Sequence, residues 1–195
     1  MKDTERIIME ATIELLLKDG KFGVSMSEIA QKSKISRTVI HYYFRSRERL
    51  FDLVNQEIVE KIITPRYQKL FDHEHLKIKI ENFLTESEKS SIKFPYADIY
   101  IMTEFAKDEN IRNYFYSIKP SMENLLIQIN NATVEKNIVY SDALFFLLDL
   151  LTLSSYSLIY LNFLKTNNIL PSLEGKDLFL DRNEMIRKIL TVQDL

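Results

Sequence analysis

The first 46 residues carry closely spaced helix boundaries, and these constrain the fold more than any other feature of the chain. Apolar residues at helical spacing predict a first helix over residues 4–18, and Gly20 follows where glycine commonly ends a helix. Ser25 is followed three residues later by Glu28, which is the pattern of a capping box. This pattern predicts that a second, short helix begins at Met26.

A third short helix is predicted soon after the second. Ser36 is a suitable N-cap, and the residues that follow predict a helix over 37–43. Ser46 is placed to begin a longer helix, which Pro65 should disturb because proline lacks the amide hydrogen that helices use. Two short helices joined by the turn 33–36 and braced by a preceding helix are typical of a helix-turn-helix unit.

The second helix of such a unit exposes a face that can enter the major groove of duplex DNA. Short side chains such as Thr38 and Val39 can approach base edges, whereas His41 and Tyr42 can reach phosphates. Residues 21–50 contain seven basic and two acidic side chains, which suits a polyanion, although a solvated surface would carry the same charge. The predicted DNA-binding residues are Ser25, Arg37, Thr38, Val39, His41, Tyr42, Tyr43 and Arg47.

Residues 7–53 resemble the DNA-binding domain of the TetR family of bacterial transcriptional regulators. Lys34 stands where that family usually has a glycine, and a left-handed backbone there would cost roughly 1–2 kcal/mol. Arg47 stands where the family usually has a lysine, so the charge is kept while the geometry of the cation changes. The residues that carry the resemblance are Ala11, Leu15, Gly20, Phe22, Ser25, Glu28-Ile29-Ala30, Ile35-Ser36, Ile40, Tyr42-Tyr43-Phe44 and Ser46-Arg47-Glu48-Arg49-Leu50-Phe51.

The resemblance implies an all-α protein whose residues 1–50 form an N-terminal three-helix helix-turn-helix DNA-binding domain. Residues 51–195 would then form a helical ligand-binding and dimerisation domain. The implied function is that of a homodimeric, ligand-responsive transcriptional regulator, with repression as the expected mode. It would bind palindromic double-stranded DNA and be released by a small-molecule effector. The charged N-terminus and the absence of cysteine favour a cytoplasmic location.

Composition independently favours an all-α fold. Three glycines and four prolines in 195 residues are too few for the many tight turns of a β-sandwich or barrel. A doubly wound nucleotide-binding fold is disfavoured because the chain has no glycine-rich loop. Beyond residue 75, apolar spacing predicts helices near 76–93, 96–107, 110–130, 141–166 and 182–192, with Pro120 inside the third.

The segment 141–166 is apolar nearly all round. A membrane span is one interpretation, but Asp149 would cost about 2.5–3.5 kcal/mol near the middle of such a helix, so a helix buried in protein is favoured. The stripe predicted to form the dimer interface carries Leu147, Leu151, Ser154, Leu158 and Leu161. The stripe predicted to line a cavity carries Phe145, Asp149, Thr152, Tyr156, Tyr160 and Phe163. Periodicity does not tell which neighbour each face meets, so the reverse assignment stays open.

A ligand site is predicted between the central helices, lined by Tyr100, Glu104, Asp149, Tyr156 and Tyr160. The chain has ten tyrosines, and those that are buried need partners for their hydroxyls, which favours a partly polar pocket. Asp149 lies in an apolar run, where a carboxylate must be paired or hydrogen-bonded. Its partner could be a tyrosine hydroxyl, a basic side chain, a helix N-terminus, or a cationic or hydroxyl-bearing ligand. Exposure at a dimer edge is the remaining alternative.

The sequence contains no pattern typical of an enzyme, a cofactor site or a metal site. His73-Glu74-His75 could suggest a metal, but residues two apart on a helix point away from each other, so a solvated linker is favoured. No P-loop or Ser-His-Asp order is present. The alternative function from another class is a helical interaction or membrane-associated protein with a vestigial helix-turn-helix. Salt-dependent binding to duplex DNA distinguishes it from a regulator.

Overall fold

The computed structural model describes residues 3–135, 140 and 142–166, and the regular structure within these ranges is helical. One π-helical turn, Glu14–Lys18, follows α1, and another, Val59–Ile63, follows α4. The all-α prediction is confirmed, whereas the helix predicted near 182–192 lies outside the described residues. The α-helices are α1 (Asp3–Ile13), α2 (Met26–Ser33), α3 (Arg37–Phe44), α4 (Arg47–Ile58), α5 (Thr64–Phe71), α6 (Leu76–Lys93), α7 (Ala97–Glu104), α8 (Glu109–Val134) and α9 (Ala143–Thr166).

The two prolines that the sequence places in helices behave differently. Pro65 lies in the first turn of α5, where its missing amide hydrogen is least costly, and the π-helical turn Val59–Ile63 directly precedes that helix. The regular α-helical pattern that starts after Ser46 is therefore interrupted close to the predicted point. Pro120 lies within α8, which continues on both sides of it.

The described residues divide into two compact units. The first unit combines residues within Met1–Thr64 with residues within Lys93–Tyr116, and the second combines residues within Pro65–Ile92 and Ser117–Leu195. This division by packing differs from the functional boundary predicted at residue 50, which stays a prediction. The physical reason is that α4 packs on α1, and α7 packs on the π-helical turn that follows α1.

The core of the first unit is formed by the inward faces of its short helices. Ile29 of α2, Ile40 and Phe44 of α3, and Leu50 of α4 are all buried. Ile40 and Phe44 are four residues apart and therefore share one face of α3. Burying such a side chain stabilises the fold by about 1.5–3 kcal/mol. This packing holds α3 by one face and leaves its other face exposed.

A buried polar network connects α4, α7 and the start of α8 within the first unit. The Tyr100 hydroxyl donates to Asn55 Oδ1 (2.6 Å), and Asn55 Nδ2 donates to Asp108 Oδ2 (2.7 Å). Asp108 Oδ1 in turn accepts from the backbone amide of Ile111 (2.9 Å) in the first turn of α8. Burial of the Tyr100 side chain raises the pKa of its hydroxyl well above the ordinary value, and the nearby carboxylates of Glu104 and Asp108 raise this pKa further. The hydroxyl therefore remains a hydrogen-bond donor at neutral pH.

The second unit has its own apolar core, and one face of α9 packs into it. Leu147 of the predicted dimer stripe lies in this core and is 6% exposed, and Ser154 of the same stripe is 2% exposed. Leu151 is partly buried, and the side chains of Leu158 and Leu161 lie outside the described residues. Burial within the unit does not favour a contact of Leu147 or Ser154 with a partner, and the role of this stripe at a dimer interface stays a prediction. The core also contains Leu70, Phe83, Leu125, Ile129, Phe146 and Leu150.

The opposite face of α9 is the exposed one. Phe145 and Tyr160 are 64% and 68% exposed, and Leu144, Leu148 and Phe163 are also largely exposed. This arrangement favours the reverse assignment that periodicity left open, which stays a prediction. Within the described residues, the structure contains no helix with the length and apolarity that a membrane crossing requires.

Candidate nucleic-acid interface

The predicted capping box at the start of α2 is present. The amide of Glu28 donates to Ser25 Oγ (3.3 Å), and the amide of Ser25 donates to Glu28 Oε2 (2.9 Å). Ser25 Oγ also donates to Glu28 Oε2 (2.9 Å). These hydrogen bonds from Ser25 and from Lys21 hold the pKa of the Glu28 carboxyl below its ordinary value. Ser25 is exposed at the predicted interface, but both of its donors are engaged by Glu28, so a phosphate contact would have to replace one of them.

A left-handed residue closes the turn between α2 and α3. Lys34 has φ 57° and ψ 29°, and its amide and that of Ile35 both donate to the carbonyl of Ala30. This is the backbone conformation that glycine adopts without penalty. Ser36 then caps α3, because its Oγ accepts from the amide of Val39 (3.3 Å).

The face of α3 opposite its buried residues carries the predicted base-reading side chains. Arg37, Thr38 and Val39 in its first turn are exposed, as is His41 in the next turn. Tyr42 is 61% exposed, and its ring meets that of Tyr43 edge-on at 5.4 Å. Tyr43 itself is half-buried. The structure therefore presents a contiguous face of short and polar side chains near the helix N-terminus, with aromatic side chains further along the helix.

Arg45 at the C-terminus of α3 is a feature that the sequence did not reveal. It has φ 65° and ψ −44°, and the amide of Ser46 donates across it to the Phe44 carbonyl (2.7 Å), which forms a γ-turn. Its guanidinium carbon lies 5.6 Å from the centroid of the Tyr42 ring. Arg45 is one of the seven basic residues in 21–50. Hydrophobic periodicity and capping patterns do not indicate that an arginine has a left-handed backbone conformation.

Arg47 in the first turn of α4 contacts the protein as well as solvent. Its Nη2 donates to the carbonyl of Val24 (3.3 Å), and its guanidinium carbon lies 4.0 Å from the centroid of the Phe51 ring. Ser46 caps this helix by accepting from the amide of Arg49 (3.1 Å). Arg47 is exposed, so its remaining donors are accessible at the predicted interface.

Within the part of the chain that the structure describes, the basic residues of 21–50 fall into two groups: those that form an ion pair with an acidic side chain and those that do not. Lys21 pairs with Glu28 (3.3 Å), and Lys32 pairs with Asp19 (3.1 Å) and Glu14 (3.3 Å). Hydrogen bonding to Asp19 raises the pKa of Lys32. The exposed basic residues with no acidic partner within 4.0 Å, among the residues described, are Lys34, Arg37, Arg45, Arg47 and Arg49.

These features define a helix-turn-helix DNA-binding protein: a second helix anchored by one face, an exposed opposite face, and uncompensated cations on both sides of it. The sequence profile of the bacterial regulatory proteins of the tetR family matches residues 8–54. The N-terminal domain of this chain is therefore similar to that of the tetR family of regulators.

Two solved structures are similar to this protein in fold. A TetR family transcription regulator from Marinobacter aquaeolei VT8 is 16% identical, with a TM-score of 0.60 over 97% of this chain and 96% of that one. A protein assigned provisionally as a transcription regulator, from Lactobacillus plantarum, is 16% identical, with a TM-score of 0.56 over 98% of this chain and 100% of that one. No curated protein gave a sequence match.

The five residues predicted to line a ligand site are divided between the two units. Tyr100 and Glu104 belong to the first unit, where Tyr100 is 1% exposed and engaged in the polar network. Asp149, Tyr156 and Tyr160 belong to the second unit. Asp149 Oδ2 accepts from the Tyr140 hydroxyl (2.7 Å), which is one of the structural partners that the sequence allowed. The shared ligand site stays a prediction.

Proposed function

We propose that the protein is a homodimeric repressor that binds a pseudo-palindromic operator through α3 and is released by a small-molecule effector. The observation that carries the proposal is the orientation of α3. Ile40 and Phe44 anchor it in the core, and its other face is free to enter a major groove. Thr38 and Val39 are the base-reading residues of this proposal, because their side chains are short and exposed in the first turn.

Phosphate contacts surround this face in the proposed complex. Arg37, His41 and Tyr42 lie on α3 itself, and Tyr43 adds a partly exposed aromatic side chain beside them. Ser25 and Arg47 lie at the N-termini of α2 and α4, where unpaired helix amides favour anions. Each phosphate neutralised releases counterions, so the affinity should fall steeply with salt.

Dimerisation is proposed through the exposed apolar face of α9. Leu144, Phe145 and Leu148 lie on it, and a groove of about 370 Å³ beside Leu144 is lined by Leu126 and Ile127 of α8. Ile127 is 59% exposed. Large contiguous apolar patches are uncommon on monomeric proteins, and a second copy of the same face would cover this one. A two-fold dimer in turn requires a two-fold symmetric operator.

The effector is proposed to act through the second unit, at Asp149, Tyr156 and Tyr160. Asp149 is half-buried. The pKa of the Tyr140 hydroxyl is raised to about 12, first by burial of Tyr140 and next by the hydrogen bond of Tyr140 to Asp149. Replacing Asp149 with asparagine keeps an oxygen that accepts from Tyr140 but removes the negative charge. Asp149→Asn should therefore bind the operator normally and respond more weakly to a cationic or hydroxyl-bearing effector. Normal release of this variant by effector would assign Asp149 a purely structural role.

The operator experiment combines selection from random duplexes with fluorescence anisotropy of the full-length protein. We expect an enriched inverted repeat, bound by two protomers, with half-sites separated by one helical turn of DNA or a multiple of it. Arg47→Ala should weaken binding to all sequences and reduce the salt slope by about 1 unit, whereas Thr38→Ala should change the preferred sequence. Selection that enriches no sequence, or a protein that is monomeric at micromolar concentration, would contradict the proposal.

A further inference from the structure

The first unit contains a groove that the proposed DNA interface does not use. It has a volume of about 410 Å³ and lies between α1, the two π-helical turns and the residues that end α6. Its apolar lining comes from Ile13, Ile62 and Phe94. Ile13 is 6% exposed, and the other two are half-buried. This volume lies within the range of small-molecule sites.

Each acidic side chain along the groove forms an ion pair with a basic neighbour. Glu57 accepts from Lys61 Nζ at 2.6 Å, and Glu10 is paired with Arg6 at 3.0 Å. The third acid of the lining, Glu14, forms the ion pair with Lys32 that was described above. Each acid of the lining is therefore engaged by a basic side chain, and Glu14 shares its lysine with Asp19.

Two lysines of the lining, unlike these acids, are not part of an ion pair within the described residues. Lys18 and Lys93 are exposed and have no acidic partner within 4.0 Å among the residues that the structure describes. The hydrogen bond from the amide of Tyr96 to the carbonyl of Leu17 (2.9 Å) brings the segments that carry them together. Lys93 Nζ lies 5.0 Å from the centroid of the Phe94 ring, so a cation lies directly beside apolar surface.

We propose that this groove binds a small amphipathic carboxylate, with its head at Lys18 and Lys93 and its apolar body on Phe94, Ile62 and Ile13. A carboxylate can pair with Lys18 and Lys93, which have no acidic partner within 4.0 Å among the described residues, and an apolar body can pack on Phe94, Ile62 and Ile13. π-Helical turns are frequent at functional sites, and this groove has one on each of two sides. The site lies within the first unit and is separate from the effector site proposed at Asp149.

The test uses the full-length protein and three probes with the same ten-carbon chain: decanoate, decyltrimethylammonium and 1-decanol, each below its micellar concentration. Isothermal titration calorimetry should show saturable decanoate binding with a Kd below about 1 mM and weaker or no binding of the other two probes. The Kd for decanoate should rise with salt, because the lysines are exposed. Methyl spectra of isoleucine-labelled protein should show shifts at Ile13 and Ile62.

The variant Lys18→Gln/Lys93→Gln should weaken decanoate binding by about tenfold, because both charges that meet the head are lost. Both positions are exposed, so the variant should keep the circular dichroism spectrum of the wild type. Lys107→Gln/Lys119→Gln, which removes two exposed lysines outside the groove, is the matched control and should bind decanoate like the wild type. Equal affinity of the groove variant and this control, equal binding of the cationic probe, or no decanoate binding below about 1 mM would each overturn the proposal.

Discussion

The polar network of the first unit predicts the effect of removing a single hydroxyl. Tyr100 and Asn55 are 1% and 3% exposed, so water cannot replace a lost partner. Tyr100→Phe keeps the ring that packs 5.6 Å from Phe22 but leaves Asn55 Oδ1 buried without its donor. An unsatisfied buried group of this kind costs about 1–3 kcal/mol, and we expect the free energy of unfolding to fall by that amount.

Urea unfolding at equal protomer concentration, followed by circular dichroism, measures this change. The matched control is Tyr116→Phe, because Tyr116 is 62% exposed and its hydroxyl can bond to water, so its effect should stay within about 0.5 kcal/mol. Asn55→Leu should cost more than Tyr100→Phe, since it also removes the donor to the carboxylate of Asp108. The double variant Tyr100→Phe/Asn55→Leu should cost less than the sum, by about 1–2 kcal/mol, because neither half of the pair is then left unsatisfied. A Tyr100→Phe protein as stable as Tyr116→Phe, or strictly additive costs, would refute the reasoning.

Three further predictions concern the helix boundaries of the DNA-binding domain. Lys34→Gly should raise the free energy of unfolding by about 1 kcal/mol, since it relieves a left-handed lysine, and urea unfolding that shows no gain would contradict this. Gly20→Ala should destabilise by more than about 1 kcal/mol, because φ is +69° and an added Cβ would lie 3.2 Å from the Tyr96 ring; Gly23→Ala, which meets nothing within 4 Å, is the control. The lowered pKa of Glu28 means that its contribution to stability is present above pH 4.5 and lost as the pH falls through the folded-state pKa. Chemical shifts of α2 should report this loss, and Glu28→Gln should abolish the pH dependence.

The boundaries of α2 and α3 could be predicted because each is encoded within a few residues. Ser25 and Glu28 specify the start of α2 by mutual hydrogen bonds, and Ser36 specifies the start of α3. Gly20 ends the first helix with the positive φ expected of its position. The conformations of Lys34 and Arg45 could not be predicted with the same certainty, because side chains other than glycine adopt positive φ only when the surrounding packing imposes it.

Hydrophobic periodicity does not predict the packing between residues that are distant in sequence. Asn55 looks like an ordinary polar residue of an amphipathic helix, and only the structure shows it between Tyr100 and Asp108. The same limit applies to α9, which is apolar on both faces. Leu147 and Phe145 both suit a core, and the choice between them depends on how α5, α6 and α8 cover one side of α9. A uniformly apolar helix carries no pattern that states which side is covered.

Arg47 contributes to the fold at the position where the proposed DNA interface also needs a cation. Its guanidinium stacks on Phe51 and donates to the carbonyl of Val24, the residue before the N-cap of α2. The hydrogen bond to Val24 uses one of the five N–H donors of a guanidinium, so the others can meet a phosphate. A lysine in this place would keep the charge but could not stack and donate in the same plane. The arginine therefore fixes the N-terminus of α4 against the start of α2, and the cation proposed to contact DNA is held in position by the protein itself.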